Sequence, residues 1–362
     1  MESKKPAYAL IAGLSFAVGF LLYLFFFSSS QAELPDLTAV EQPQYQRMVY
    51  PFTLERDTMF TVANDTVYRG MTITSNTNSF FITDFGDGLI KQFDLSGNFI
   101  GTFGEGEGRG PGEFLNLSMV SATDQALWVS DLQALRLTSF SLSSGEFEVF
   151  PTEKRPTRIA VNDSLVAVKW TMSETMFTLY DTDGNKRFDF EHPAIIPTND
   201  PIAFDGWITL SEEFLLYIPI NYGAIFGFDL GSGKHTFTIP TPDGGPLPSS
   251  EQRTETGRLV TIAPNSQARN SGLKYVSESG KLVVFTYIRG DQLADGSYDV
   301  DGFTYWLDVY DIEDPSYLYS IEFPHIASSF TFIQDYLLVH HSRSARGISY
   351  VMDDAFKSLI FN

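Results

Sequence analysis

Short apolar runs separated by glycine-marked turns alternate along most of the chain. The clearest unit spans residues 80–112, where one apolar run ends at Asp84 and a second contains Phe93. Gly97 marks the turn into a third run. Period-two alternation of apolar residues between such turns predicts antiparallel β-strands.

The same unit recurs along the chain. A second copy spans 126–150, in which Asp131 and Phe140 repeat the spacing of Asp84 and Phe93. Weaker copies follow, and a recurrence of about 40–50 residues built from short strands predicts propeller blades. The six predicted blades are 57–103, 115–150, 157–191, 203–240, 272–323 and 328–358. The predicted fold is an all-β, six-bladed β-propeller with four-stranded antiparallel blades.

Residues 46–55 predict a strand that has no blade of its own, because Met48, Tyr50 and Phe52 alternate there. The last blade is one strand short. We therefore expect the early strand to complete it and to close the ring, which leaves no long exposed sheet edge.

Two segments interrupt the repeat. Residues 241–271 are rich in Pro, Gly, Ser and Thr and predict a long loop, although 258–262 could form a strand of a collapsed seventh blade. The second segment, 290–302, resembles a calcium loop through four carboxylates: Asp291, Asp295, Asp299 and Asp301. It lacks the Gly and the terminal Glu at EF-hand spacing, which favours a solvated loop.

The first two units resemble NHL repeats, a family whose unit ends a strand in Asp and continues with Asn, Arg-Ile, Phe and a Gly turn. The residues that match are Asp84, Ile90, Phe93 and Gly97 in the first unit and Asp131, Arg136, Leu137, Phe140 and Gly145 in the second. Asp87, Leu89 and Ala134 depart from the pattern. The loop at 104–114 is similar to the inter-blade segment of bacterial six-bladed propellers of this type. The resemblance implies a fold and not an activity.

The amino-terminal segment predicts export. Lys4 and Lys5 precede an apolar run over 7–27, and a helix of that length at about 1.5 Å per residue crosses a bilayer. The alternative is a signal peptide cleaved after Ala32. Positive charge before the run places the remainder outside the cytoplasm in both cases. We expect an anchor or signal peptide at 1–32, a tether at 33–45 and the propeller at 46–362. The expected location is the bacterial cell envelope, anchored in the inner membrane, or periplasmic or secreted after cleavage.

Net charge and cysteine content exclude some classes of partner and of metal site. The chain of 362 residues has 24 basic and 45 acidic residues, a net charge of −21. Such a surface repels phosphate backbones, so nucleic acid is not an expected partner, and the membrane is contacted only through the amino-terminal helix. The chain has no cysteine, which rules out disulfides and thiolate metal sites.

Candidate chemistry is sparse. The glycines at 104–112 are spaced like a phosphate loop, but no Lys-Ser/Thr pair or helix follows, which favours an inter-blade connection in which Gly permits positive φ. Alignment of the blades places six side chains at the end of a second strand: Asp84, Asp131, Lys169, Arg289, His340 and His341. Equivalent positions cluster around a propeller channel, so these residues predict a ligand-binding ring at the channel mouth. The alternative for the two aspartates is bonding to turn amides in their own blades.

These observations predict a binding or scaffold module for a protein, peptide or glycan ligand. No catalytic residue is predicted. The alternative is a six-bladed, calcium-dependent hydrolase or lactonase with carboxylate ligands in the channel. The cofactor is unknown; calcium is compatible with that alternative but is not indicated by any motif.

Overall fold

The computed structural model describes most of the chain after residue 45. The described residues are 46–50, 54–57, 66–171, 173–196, 200, 202–244, 247–255, 258–262, 268–293, 298–299, 301–341 and 346–362. The predicted anchor and tether lie outside them. Among the described residues, no helix is both long enough and apolar enough to span a bilayer.

The described chain forms the predicted ring of six four-stranded antiparallel blades. Two short strands, β1 (Val49–Tyr50) and β2 (Glu55–Asp57), precede it. Blade 1 contains β3 (Gly70–Ser75), β4 (Ser79–Asp84), β5 (Leu89–Asp94) and β6 (Phe99–Phe103). Blade 2 contains β7 (Leu117–Ala122), β8 (Ala126–Asp131), β9 (Arg136–Ser141) and β10 (Phe147–Pro151). Blade 3 contains β11 (Arg155–Val161), β12 (Leu165–Thr171), β13 (Phe177–Asp181) and β14 (Lys186–Asp189).

The second half of the ring continues the pattern with one addition. Blade 4 contains β15 (Gly206–Leu210), β16 (Phe214–Pro219), β17 (Ala224–Asp229) and β18 (His235–Pro240). A separate hairpin of β19 (Glu251–Glu255) and β20 (Arg258–Ile262) follows. Blade 5 contains β21 (Ala268–Val276), β22 (Lys281–Ile288), β23 (Thr304–Asp311) and β24 (Ser316–Phe323). Blade 6 contains β25 (Ser329–Ile333), β26 (Tyr336–His341) and β27 (Arg346–Val351), and the chain ends in helix α1 (Asp354–Phe361).

The hydrophobic core lies between neighbouring blades, because each sheet presents apolar side chains on both faces. Phe81 of blade 1 packs in one cluster with Phe114 of the inter-blade loop and Val129 of blade 2, and all three are almost fully buried. Phe177 of blade 3 packs against Tyr217 of blade 4, with ring centroids 4.9 Å apart. Full burial of one such side chain contributes about 1.5–3 kcal/mol, so every blade depends on both of its neighbours.

An amino-terminal strand closes the ring, but it is not the whole strand predicted over 46–55. β2 pairs antiparallel with β27, where Arg56 lies opposite Tyr350, and supplies the fourth strand of blade 6. β1 instead pairs in parallel with β24 on the outer edge of blade 5. Of the predicted strand, Val49 and Tyr50 pair with blade 5 instead, and the closing strand β2 shares only Glu55 with it. The closing strand therefore lies later in the sequence than predicted; Phe52 lies outside the described residues.

An ion-pair cluster explains why β1 leaves the closing strand. Arg47 donates from Nη2 to Asp308 Oδ2 of β23 at 2.8 Å and from Nη1 to Asp243 Oδ1, which follows blade 4, at 2.6 Å. Its guanidinium also lies 5.0 Å from the ring of Trp306. Because Asp308 is fully buried, its charge requires a partner, and Arg47 supplies it from the amino-terminal segment.

Asp243 and Asp308 share the guanidinium of Arg47, and the proximity of their two negative charges changes the pKa of Asp243. Burial, opposed by Arg47 and reinforced by the charge of Asp308, raises the pKa of Asp243 to about 6. Asp243 therefore binds a proton in the folded state at a pH where it is ionised in the unfolded chain.

Two predicted boundaries are corrected by the structure. The segment 241–271 is not a loop throughout, because β19 and β20 form a hairpin, and it is not a blade, because this hairpin is a separate two-stranded sheet. Blade 6 ends at Val351 rather than at 358, and α1 follows. Asp353 caps α1 by accepting from the Phe356 amide, and Phe356 and Ile360 are buried against blades 5 and 6.

Stepwise shortening of the amino terminus tests the two attachments. Relative to a chain starting at residue 46, a chain starting at 54 loses β1 and Arg47, and one starting at 58 also loses β2. We expect the melting temperature to fall at each step. Only the last chain should also associate with rising concentration in gel filtration, because it exposes the edge of β27. A chain starting at 58 that stays monomeric and melts like the chain starting at 54 would contradict closure by β2.

The shared guanidinium predicts a specific pH dependence of stability. Since the folded-state pKa of Asp243 is raised to about 6, its stabilising proton is present at low pH and lost as the pH rises through about 6. Between pH 5 and 7 the wild type should lose about 1 kcal/mol of unfolding free energy relative to Asp243→Asn. Urea denaturation at pH 5, 6 and 7 measures this difference. Asp183→Asn, at an exposed turn, is the control. If the unfolding free energies of the wild type and Asp243→Asn change equally between pH 5 and 7, the raised pKa is not that of Asp243.

Candidate functional site

The central channel is a cavity of about 1220 Å³. Its wall consists of the first strand of each blade: β3, β7, β11, β15, β21 and β25. The turns that follow these strands, together with residues of α1, form one mouth of the cavity. The repeat therefore builds a site from six equivalent strands that are distant in sequence.

Hydroxyl groups join the wall across neighbouring blades. Ser75 Oγ lies 2.7 Å from Thr331 Oγ1, and Ser329 Oγ accepts from the Ile73 amide at 3.1 Å. Ser271 Oγ donates to the Ala327 carbonyl at 2.7 Å. These bonds fix the spacing of β3, β21 and β25, so the channel is held in shape before any ligand enters.

The mouth formed by the turns is acidic. Four exposed carboxylates line it, each on the turn after a first strand: Asp124, Asp163, Glu212 and Glu278. The lysine that α1 contributes, Lys357, is paired with Asp335 at 2.6 Å. The mouth therefore carries net negative charge and attracts cationic groups.

Lys274 has the opposite charge within the channel wall. It lies on β21 and lines the cavity, and its side chain makes no hydrogen bond or ion pair with any residue that the structure describes. Burial lowers the pKa of Lys274, and the charge of Glu278 opposes that shift only in part. The channel therefore contains an ammonium group that no described side chain satisfies.

A second charged group lies where the first strands begin, at the other end of the channel. Asp205, just before β15, accepts from Lys169 Nζ at 3.2 Å and from Arg158 Nη2 at 3.1 Å. The Arg158 guanidinium lies 4.5 Å from the ring of Trp207, which also lines the cavity. Two cations here share one carboxylate.

Ionisation in this second group follows from its contacts. Burial lowers the pKa of Lys169, and Asp205 offsets that effect only in part. Burial opposes ionisation of Asp205, but Arg158 and Lys169 together lower its pKa. Arg158 Nε is buried and has no acceptor among the described residues. The group carries net positive charge and joins blade 3 to blade 4.

The two aspartates of the predicted ring bond within their own blades. Asp84 is fully buried and accepts from the amides of Tyr68, Arg69 and Gly86 at 2.7, 2.7 and 2.8 Å. Lys91 Nζ also donates to it at 2.6 Å. Burial opposes its ionisation, but these donors lower the pKa of Asp84.

Asp131 repeats the arrangement in blade 2. Its carboxylate accepts from the amides of Leu115 and Asn116, which lead into β7, at 2.8 and 3.1 Å. It also accepts from Gln133 and Ala134 in the following turn. Both aspartates thus fasten the entry of the first strand to the end of the second.

The other predicted ring residues have different partners. The Arg289 guanidinium lies 4.6 Å from the ring of Tyr298, within the insertion of blade 5. His340 is buried, and its Nδ1 lies 3.3 Å from Ser328 Oγ. Its ring also approaches Gly70 of blade 1, where a Cβ would lie 2.7 Å from Nε2. The side chain of His341 lies outside the description. Ligand binding by this ring stays a prediction.

The glycine-rich loop at 104–112 and the acidic insertion at 290–302 make hydrogen bonds within the protein. Gly104, Gly106 and Gly112 have positive φ, as expected for an inter-blade connection, and Arg136 donates to the Gly110 carbonyl at 3.1 Å. In the acidic insertion, the Asp299 amide donates to the Asp291 carbonyl, and Asp295 is not described. Within the described part of the chain, no three or more His, Asp or Glu side chains are grouped so that they could hold a metal.

Lys274, Arg158 and Asp205 were not among the site residues predicted from the sequence. Alignment on the ends of second strands favoured Asp84 and Lys169, whereas the channel is lined by first strands. A search for charged residues inside first strands would have found Lys274 between Leu273 and Tyr275. The Asp205 contact joins different blades, so the sequence carries no local signal for it.

Comparison with known proteins supports the fold alone. No family model matches the chain, and no curated protein matches it by sequence. Among solved structures it is similar to a member of the DUF4221 family from Bacteroides vulgatus, with 11% identity and a TM-score of 0.54 over 79% of this chain and 92% of that one. It is also similar to Kuenenia stuttgartiensis hydrazine synthase, with 11% identity and a TM-score of 0.53 over 81% and 79% of the two chains.

Replacing Asp84 tests its role as a fastener. Asp84→Asn removes one of the two carboxylates that contact Lys91, the other being Asp87 at 2.8 Å. It should cost about 1–3 kcal/mol of unfolding free energy, measured by urea denaturation. Asp94→Asn is the matched control, because Asp94 also accepts turn amides but lies near the surface; we expect little change. A similar small loss in both variants would show that Asp84 does not stabilise the fold.

Proposed function

We propose that this chain is a binding module whose central channel takes a peptide segment of a partner protein. The observation that carries the proposal is the cavity of about 1220 Å³ with an acidic mouth and a lysine in its wall. Most small-molecule pockets have volumes of about 300–1,000 Å³, so this channel has room for more than a small metabolite.

Length and charge both favour an extended peptide. The first strands are five to nine residues long, and an extended segment of about five residues, at about 3.3 Å per residue, spans the shortest of them. Exposed carboxylates at the mouth attract Lys or Arg side chains of such a segment. A neutral glycan offers no charge to complement either the mouth or Lys274.

The module is proposed to act outside the cytoplasm of a bacterial cell. Support comes from the apolar run at 7–27 and the preceding lysines, which favour an inner-membrane anchor, or export with cleavage after Ala32. The channel favours a binding function through its size, its acidic mouth and Lys274. No described contact favours the calcium-dependent hydrolase.

Charge removal at the mouth tests the proposal. The probe is a fluorescein-labelled peptide of about eight residues with three lysines, and its counterpart has three glutamates. Fluorescence anisotropy should detect binding of the lysine peptide only. In Asp163→Asn/Glu278→Gln the affinity should fall about threefold to tenfold, the effect of two partly screened charges.

A matched variant controls for net charge. Glu146→Gln/Asp183→Asn removes two exposed carboxylates from turns outside the channel and should bind the lysine peptide as the wild type does. Binding that is equal for both peptides, or that weakens equally in both double variants, would contradict recognition at the mouth. If neither peptide binds, the proposed function fails.

A further inference from the structure

The wall of the channel contains one lysine side chain, Lys274, for which the described residues supply no polar partner. Among the described residues that line the cavity, Lys274 and Lys357 are the cations, and Lys357 is paired with Asp335. The side chain of Lys274 makes no hydrogen bond or ion pair within the described chain. Two buried lysine and arginine side chains of the described chain are paired by contrast: Lys91 with Asp84, and Arg47 with Asp308.

The Lys274 side chain is half-buried at the channel wall, and a carboxylate within hydrogen-bonding distance of its ammonium forms a charge-assisted pair. Burial lowers the pKa of Lys274, and the charge of Glu278 opposes that shift. The exposed Glu278 on the following turn reduces this effect without forming a contact. The channel is therefore arranged for an anion that arrives from outside.

The positions of the charges define the orientation of a ligand. The carboxylates lie on the turns at the mouth, whereas Lys274 lies on β21, inside the wall. A ligand that complements both carries its anionic group first and its cationic groups behind it. A peptide with a free terminal carboxylate and basic residues upstream has this arrangement.

We infer that Lys274 is the anion-binding residue of the channel and that it holds the terminal carboxylate of the bound peptide. This inference rests on the proposed function and specifies how the ligand enters. The ammonium donates hydrogen bonds to the carboxylate at the wall of the channel. The lysine residues of the peptide remain at the acidic mouth.

The test uses the lysine peptide in three forms, with a free terminal carboxylate, with a terminal amide, or with a terminal amide and a glutamate as its last residue. We expect the wild type to bind the free carboxylate about tenfold more tightly than the plain amide, as one buried charge-assisted pair provides. The third form shows whether a side-chain carboxylate can replace the terminal carboxylate. If this glutamate-ended amide binds as tightly as the free acid, Lys274 does not select a terminal carboxylate.

Variants identify Lys274 as the source of the preference. Lys274→Met should bind acid and amide equally, and Lys274→Arg should keep a preference for the acid. The Met variant should melt no lower than the wild type, because it removes an unpaired charge. Lys186→Met, on an outer strand, controls for net charge and should keep the wild-type ratio.

The outcomes separate the inference from the function on which it rests. If the wild type binds acid and amide equally, or if Lys274→Met keeps the tenfold ratio, Lys274 is not the carboxylate site, although peptide binding stands. If no form of the peptide binds, the proposed function fails and the inference fails with it.

Discussion

Closure of the ring is the constraint on which the rest of the structure depends. Each blade is apolar on both faces, as the buried cluster of Phe81, Phe114 and Val129 shows for one pair of neighbours. A blade with only one neighbour would expose a face of this kind to water. β2 completes blade 6 through β27, so every face has a partner and no blade is left with a missing edge strand. The central channel is a consequence of that closure.

Polar contacts then fasten four of the first strands, β3, β7, β15 and β25, in place. Asp84 and Asp131 join strand entries to strand ends within one blade, whereas Lys169 reaches Asp205 at the entry to the next blade. His340 bonds to Ser328 at the entry of its own blade. One position in the repeat thus serves a similar structural purpose with different chemistry, which explains why its residue type varies from blade to blade.

The fold was largely predictable because the residue patterns that mark its strands and turns are local and recur from blade to blade. Asp84, Phe93 and Gly97 mark strand ends and turns through short-range rules, and a copy such as 126–150 supports each assignment. The division of the early strand between β1 and β2 was not predictable, because it depends on Arg47 meeting Asp243 and Asp308, which are far away in sequence. Helix α1 was missed because it is short and its apolar side chains pack against blades 5 and 6.

The candidate site was less predictable for the same reason. Sequence alignment placed charged residues at the ends of second strands, but nothing local distinguishes a side chain that faces the cavity from one that bonds within the wall. Lys274 becomes informative only when the structure shows that it lines the channel without a described partner. Its positive charge differs from the negative charge of the mouth, and that mouth exists only because ring closure brings the turns of the blades together.

The most direct measurement is photocrosslinking of the lysine peptide with a benzophenone next to its terminal carboxylate, followed by mass spectrometry of the digested protein. The account predicts crosslinks to β21 and β15 in the channel wall near Lys274, and their loss when the unlabelled peptide acid competes. Crosslinks confined to outer strands or to loops at the rim of the ring would contradict entry of the carboxylate into the channel.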